Sequence, residues 1–436
     1  MSNSFVIKGG KPLNGTITPI PNKNAILKII PASLLTEETV ICKNFPATTD
    51  VTSMLDLAKR LGVLVEKEDN IIKITAKNIT TSDLHEELGA KIRSSILFVG
   101  PLLARLGRAR IPMPGGCTLG KRSISAHIEA FTKAGVDIAS SENHVTFTSP
   151  IKKRQTDLDI WFTEPSVTAT ENLLMYLSAV EAQTTIINAA CEPHVVQLCK
   201  FLVDLGVSIE GIGSNKLIVR GTSTFKGAVF TPEPDFVDIG GFIVAAAVTK
   251  GKIRVINGGQ KHISGGLVNV FSKFGIGLTV EGYDLIIDGT NDLEIDLINS
   301  GFPMADQDMP KLNPGPWPAF PVDVLPVVVT LATKAKGRLL VNNWMYESGL
   351  RFIYNLKDMG ALIDVLDGQK VIVHGPSTYI GGEVTTPDVI QGCKAVFLAA
   401  LADDVTTTIH SVDILKRRYP DILSVYKSLG ADIEAA

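Results

Sequence analysis

Apolar residues recur along this chain with a helical period in several segments, and each such run stops at a glycine. In VTSMLDLAKRLG, Val51, Met54, Leu55, Ala58 and Leu61 fall on one helix face. In VVQLCKFLVDLG, Val195, Leu198, Phe201, Leu202 and Leu205 do the same. The closing phrase, an apolar residue, Gly, then Val, Ile or Ala, occurs six times: LGV, AGV, LGV, FGI, MGA and LGA. Its glycines are Gly62, Gly135, Gly206, Gly275, Gly360 and Gly430. They stand about 70 residues apart, with one longer gap between Gly275 and Gly360, and such regularity marks a repeat. A glycine at the end of an amphipathic helix predicts a C-cap of positive φ. Strand candidates with hairpin turns follow, as in VSIEGIGSNKLIVRG and ALIDVLDGQKVIVHG.

Upstream of each phrase lies a second, more uniformly apolar helix candidate: KNAILKIIPASLL, RSSILFVGPLLARL, TATENLLMYLSAV, GGFIVAAAVTK, VDVLPVVVTLATKA and GCKAVFLAAL. A helix apolar on all sides needs burial on all sides. Each leads into a short strand such as TVICKNF or TTIINAA. The unit therefore reads strand, buried helix, strand, amphipathic helix, two strands. Six such units predict an α/β protein of two domains, each with three buried helices at its centre. The longer gap holds FPMADQDMPKLNPGPWPAFP, which reads as an inserted Pro-rich loop. A repeat protein that only binds partners would share this layout.

The composition is that of an ordinary folded protein, 45% hydrophobic and 20% charged over 436 residues. A net charge of -3 gives no reason to expect nucleic acid or an acidic membrane as partner. No apolar run is long enough to span a bilayer, and the N-terminus does not read as a signal peptide. The five cysteines form no CxxC pair, so neither a disulfide framework nor a zinc knuckle is indicated, and a cytoplasmic setting is the simplest. Cys42, Cys199 and Cys393 sit in apolar contexts and read as small buried hydrophobes.

Cys117 differs. It lies in PMPGGCTLGKR, where Gly115, Gly116 and Gly120 permit close backbone approach and Lys121 and Arg122 could lower the thiol pKa. Lys23 and Asn24 open a buried helix, and a helix N-terminus is an anion site as readily as a surface position for lysine. Arg93 opens RSSILFVGPLL, and Arg417 precedes YPDIL; arginine suits carboxylate and phosphate. Asp323, in PAFPVDVLP, reads either as the cap of the next helix or as a general base, and the cap is the simpler reading.

PNKNA, IRSSILFVGPLLAR, PGGCTLGKR and PWPAFPVD, in that order, resemble the UDP-N-acetylglucosamine enolpyruvyl transferases of peptidoglycan synthesis. The resemblance covers essentially the whole chain. It implies two inside-out α/β barrel-like domains, each of three βαβαββ repeats, with the active site in the cleft between them. Domain I would span 24–232, and domain II would combine 1–23 with 233–436. The implied reaction moves the enolpyruvyl group of phosphoenolpyruvate to the 3-hydroxyl of UDP-N-acetylglucosamine. It needs no metal and no other cofactor, and its partners are these two small molecules. Cys117, Asp323 and Lys23 would be catalytic. Lys23, Arg122, Arg417 and Arg93 would hold phosphoenolpyruvate. Asn24, Arg93, Arg122, Ser123, Ile124, Ser166, Val167, Thr168, Asp323 and Glu347 would bind the UDP-sugar.

Several positions depart from the family pattern. Glu164 stands where the family has lysine, and Cys191, Gly349 and Ile390 stand where it has arginines, with an arginine at Arg351 instead. RYPDIL after Arg417 resembles the shikimate-pathway enolpyruvyl transferase. Three functions remain open: the cell-wall enzyme, a paralogue with another acceptor, and an inactive relative that binds nucleotide sugar or protein.

Overall fold

A computed structural model describes residues 3–113, 123–149, 156–295, 301–306 and 309–436. Its contacts divide the chain into two compact units, one running from Pro21 to Glu233 and the other joining the residues up to Ile20 with those from Pro234 onward. Each has its own apolar core.

In the unit from Pro21 to Glu233, the helices Lys23–Ala32, Val99–Leu106 and Val167–Leu177 form the centre. Every residue of the first is buried except Asn24, which answers its apolar sequence on all sides. The helices Thr49–Arg60, Ser125–Lys133 and Pro193–Asp204 are amphipathic and bury one face. Outside lie three sheets. In the third, Leu158–Trp161 pairs parallel with Thr184–Ile187, which pairs antiparallel with Lys216–Arg220, followed by Ser208–Glu210. The first sheet repeats this order, with Val229–Phe230 supplying the parallel strand beside Val40–Lys43. In the second sheet that strand shrinks to a single bridge, Asp83 to Arg110.

The other unit repeats the plan around Phe236–Val248, Leu325–Lys334 and Ile390–Ala402. The N-terminal segment contributes to two of its sheets. Asn14–Ile17 pairs parallel with Lys252–Val255. Ser4–Lys8 lies between Thr406–His410 and Asp432–Ala435, antiparallel to both. The last repeat thus ends on one strand of its own and takes the other from the start of the chain. All six repeat glycines have positive φ, from 82° at Gly135 to 109° at Gly206. This is the left-handed conformation that a C-cap demands.

The expected Pro-rich loop is partly strand. Met309–Leu312 pairs parallel with Gly337–Asn342, and Met304–Asp306 pairs with it from the other side. Buried Phe302, Leu312 and Phe320 hold the insertion to the core. Prolines obscured the strand because they signal turns when read locally.

Candidate functional site

In the unit from Pro21 to Glu233, Lys23 is the first residue of its helix and is buried. Its ammonium donates to Asp50 Oδ2 at 2.8 Å. Asp50 lies in the first turn of Thr49–Arg60 and is buried as well. The lysine is therefore not on the surface. Asn24, beside it, is half-buried, and Asn22 caps the helix by accepting from the Ala25 N–H.

Arg93 begins a short 3-10 turn, Arg93–Phe98, and donates to the carbonyl of Ser123 at 3.0 Å. Ser123 and the buried Ile124 lead into Ser125–Lys133, so Arg93, Ser123 and Ile124 come together. Cys117 and Arg122 lie outside the described residues.

Ser166, Val167 and Thr168 start the third central helix. Ser166 is its N-cap, accepting from the Ala169 N–H. The Thr168 hydroxyl lies 3.0 Å from Nε2 of the buried His127, whose Nδ1 faces Asn172 Nδ2 at 3.2 Å. The Gly100 N–H donates to Asn172 Oδ1, so Nδ2 of Asn172 is the donor to His127. His127 then carries its proton on Nε2 and donates to Thr168. Burial, with Arg93 nearby, pushes this imidazole down to about 3. The folded state binds fewer protons than the unfolded one below the ordinary value of 6.5, so acid costs stability in that window. We expect His127→Gln to lose hydrogen bonding at neutral pH but to escape this cost. The stability gap between wild type and variant should narrow by roughly 1 kcal/mol per pH unit as pH falls from 6.5 towards 3. Urea unfolding across that range reads it, and a constant gap would remove the assignment.

In the unit that includes Pro234 onward, Asp323 lies on the 3-10 turn Val322–Val324, which leads into Leu325–Lys334. Its side chain caps neither element, so the capping reading is corrected. The turn itself supplies the first residues of the helix, and the carboxylate faces a guanidinium instead. Arg418 Nη2 lies 3.8 Å from Asp323 Oδ2. Arg417, half-buried, ends the turn Val412–Arg417 immediately before it.

Glu347 is exposed. Next to it, Ser348, Gly349, Arg351, Phe352, Pro387 and Asp388 line a cavity of about 190 Å³ that Val389 completes. Gly349 is tightly packed, because a Cβ there would run into Nδ2 of the buried Asn343, whose side chain would have to shift. The cation that lines this cavity is Arg351. Gly349→Ala should cost roughly 1–3 kcal/mol through overpacking. Thermal unfolding checks it, and an unchanged midpoint would show that Asn343 yields freely.

Of the positions that depart from the pattern, Glu164 is exposed, while Cys191 and Ile390 are buried. Cys42, Cys199 and Cys393 are buried, and burial pushes each thiol up to about 12, as inert core cysteines require. Sequence reasoning missed Asp50, His127 and Arg418. Asp50 follows the capping residue Thr48 and reads as a first-turn acid. Arg418 stands beside an arginine already singled out, and no local pattern separates the two.

Two units of three repeats, each built round three buried helices, define a distinctive class of α/β protein. The chain belongs to the EPSP synthase (3-phosphoshikimate 1-carboxyvinyltransferase) family, whose sequence pattern matches residues 7–426. It is 38% identical over 433 residues to a UDP-N-acetylglucosamine 1-carboxyvinyltransferase of Treponema denticola, with 99% of each chain covered. It is also 38% identical over 431 residues to a protein of that name from Bradyrhizobium diazoefficiens, covering 99% of this chain and 97% of the relative. Among solved structures, the enolpyruvyl transferase NikO from Streptomyces tendae superposes with a TM-score of 0.85 at 19% identity, covering 100% of this chain and 99% of that one. EPSP synthase from Acinetobacter baumannii gives 0.75 at 18% identity, with 99% of each covered. These two likenesses show the fold.

Proposed function

We propose that this protein transfers the enolpyruvyl group of phosphoenolpyruvate to the 3-hydroxyl of UDP-N-acetylglucosamine and releases phosphate, the first committed step of peptidoglycan synthesis. The observation that carries this reading is the 38% identity, across 99% of both chains, to a relative named for that reaction. The sugar hydroxyl attacks C2 of phosphoenolpyruvate and gives up its proton to Asp323, while C3 takes a proton from Cys117. A tetrahedral phospho-ketal forms; C3 then gives a proton back to the Cys117 thiolate as the C2–O bond to phosphate breaks, which restores the C2–C3 double bond and releases phosphate. Lys23, Arg122 and Arg417, with Arg93, hold the phosphate and carboxylate. A highly anionic substrate is best stabilised by cations fixed in advance, and the buried Lys23–Asp50 pair holds one such cation in place. Asn24, Ser123, Ile124, Ser166, Val167, Thr168 and Glu347 serve the UDP-sugar. On this reading the activity belongs to the cytoplasm. Among the described residues, no helix is long and apolar enough to cross a membrane.

A second reading keeps the chemistry but changes the acceptor. Exposed Glu164, buried Cys191 and the packed Gly349 favour it, because each stands where the family pattern is basic. Phosphate release from phosphoenolpyruvate, measured with UDP-N-acetylglucosamine, other nucleotide sugars and shikimate 3-phosphate in turn, decides between them. Release only with UDP-N-acetylglucosamine is expected. Release with a different acceptor would install the second reading, and release with none would leave a binding protein.

A further inference from the structure

We infer that Arg418 is a positioning residue that fixes the carboxylate of Asp323, an inference that rests on the reaction proposed above. Arg418 is only 2% exposed, so its guanidinium sits among core side chains. Nη1 donates to both oxygens of Asp235 at 2.8 Å. Asp235 is itself fixed, because it caps the central helix Phe236–Val248 by accepting from the Val237 N–H at 2.9 Å. The planar fork is thereby locked, and its second terminal nitrogen, Nη2, faces Asp323 Oδ2 at 3.8 Å.

Asp323 has no capping bond to hold it and stands on a one-turn element with its side chain 28% exposed. A fixed cation at its inner edge selects one rotamer and keeps the carboxylate directed along a single line. A buried arginine costs several kcal/mol to desolvate unless paired, and one carboxylate, Asp235, already pairs it. The second nitrogen is therefore left to act on Asp323 without the fold depending on that contact.

Lysine cannot copy this arrangement, since one ammonium cannot serve both carboxylates from a rigid plane. Arg418→Lys should lower kcat for phosphate release by about 10- to 100-fold, the scale of a misplaced reacting group. The KM for phosphoenolpyruvate should stay within about threefold, because ground-state binding is untouched. In an Asp323→Asn background, the same change should cost nothing further. If Arg418→Lys fails to fold, Arg418→Gln with Asp235→Asn removes both buried charges together and gives the same readouts. An unchanged kcat, or losses that add in the double variant, would overturn the inference. Should the wild type release no phosphate, the substrate reading fails on its own. A crystal structure of the folded variant then decides the positioning role. A displaced Asp323 carboxylate supports it, and an unmoved one overturns it.

Discussion

Asp323→Asn is expected to lower turnover by at least about 100-fold while the protein stays folded, because on the proposed mechanism the change removes a proton-transfer group and little else. The structure supports the second half of that expectation. Asp323 caps no helix, so asparagine forfeits no capping bond. Arg418 keeps the hydrogen bonds that its Nη1 donates to Asp235, so losing the charge at Asp323 leaves no orphaned buried cation. Initial rates of phosphate release and a thermal unfolding curve on the same preparation read the two halves separately. A near-normal rate would show that the hydroxyl proton goes elsewhere.

Lys23→Ala should also cost at least about 100-fold in turnover, and it should cost stability as well. Lys23 and Asp50 are both buried, and their 2.8 Å bond is charge-assisted. Removing the lysine leaves a buried carboxylate without that partner, a loss of roughly 3 kcal/mol. The two effects can be separated. Lys23→Met combined with Asp50→Asn replaces both charges, so stability should largely return while activity stays low. Recovery of activity along with stability would make Lys23 a structural residue and take it out of the substrate site.

Much of the architecture could be read before any fold was seen. The glycine phrases named the six helix ends, and all six glycines adopt the left-handed conformation. The all-round apolar segments became the central helices, and three cysteines in apolar runs became core residues. These features are legible because burial of a helix face is written at a spacing of three and four residues, and a C-cap within a single turn. The catalytic candidates were legible only through the resemblance of short motifs, since a lone lysine or aspartate carries no period.

The sequence by itself determined the repeat, the alternation of buried and amphipathic helices, and the family. The tertiary structure alone decided which charges meet. Lys23 finds Asp50 across 27 residues, and Arg418 finds Asp235 across 183. It decided that Ser4–Lys8 completes the sheet of the last repeat, a pairing between opposite ends of the chain. It also decided that the Asn343 side chain fills the space beside Gly349. The reason is the same in each case. Hydrophobic periodicity is a property of neighbours in sequence, whereas ion pairs, strand partners and steric exclusion depend on which distant segments the packed core brings within a few ångströms.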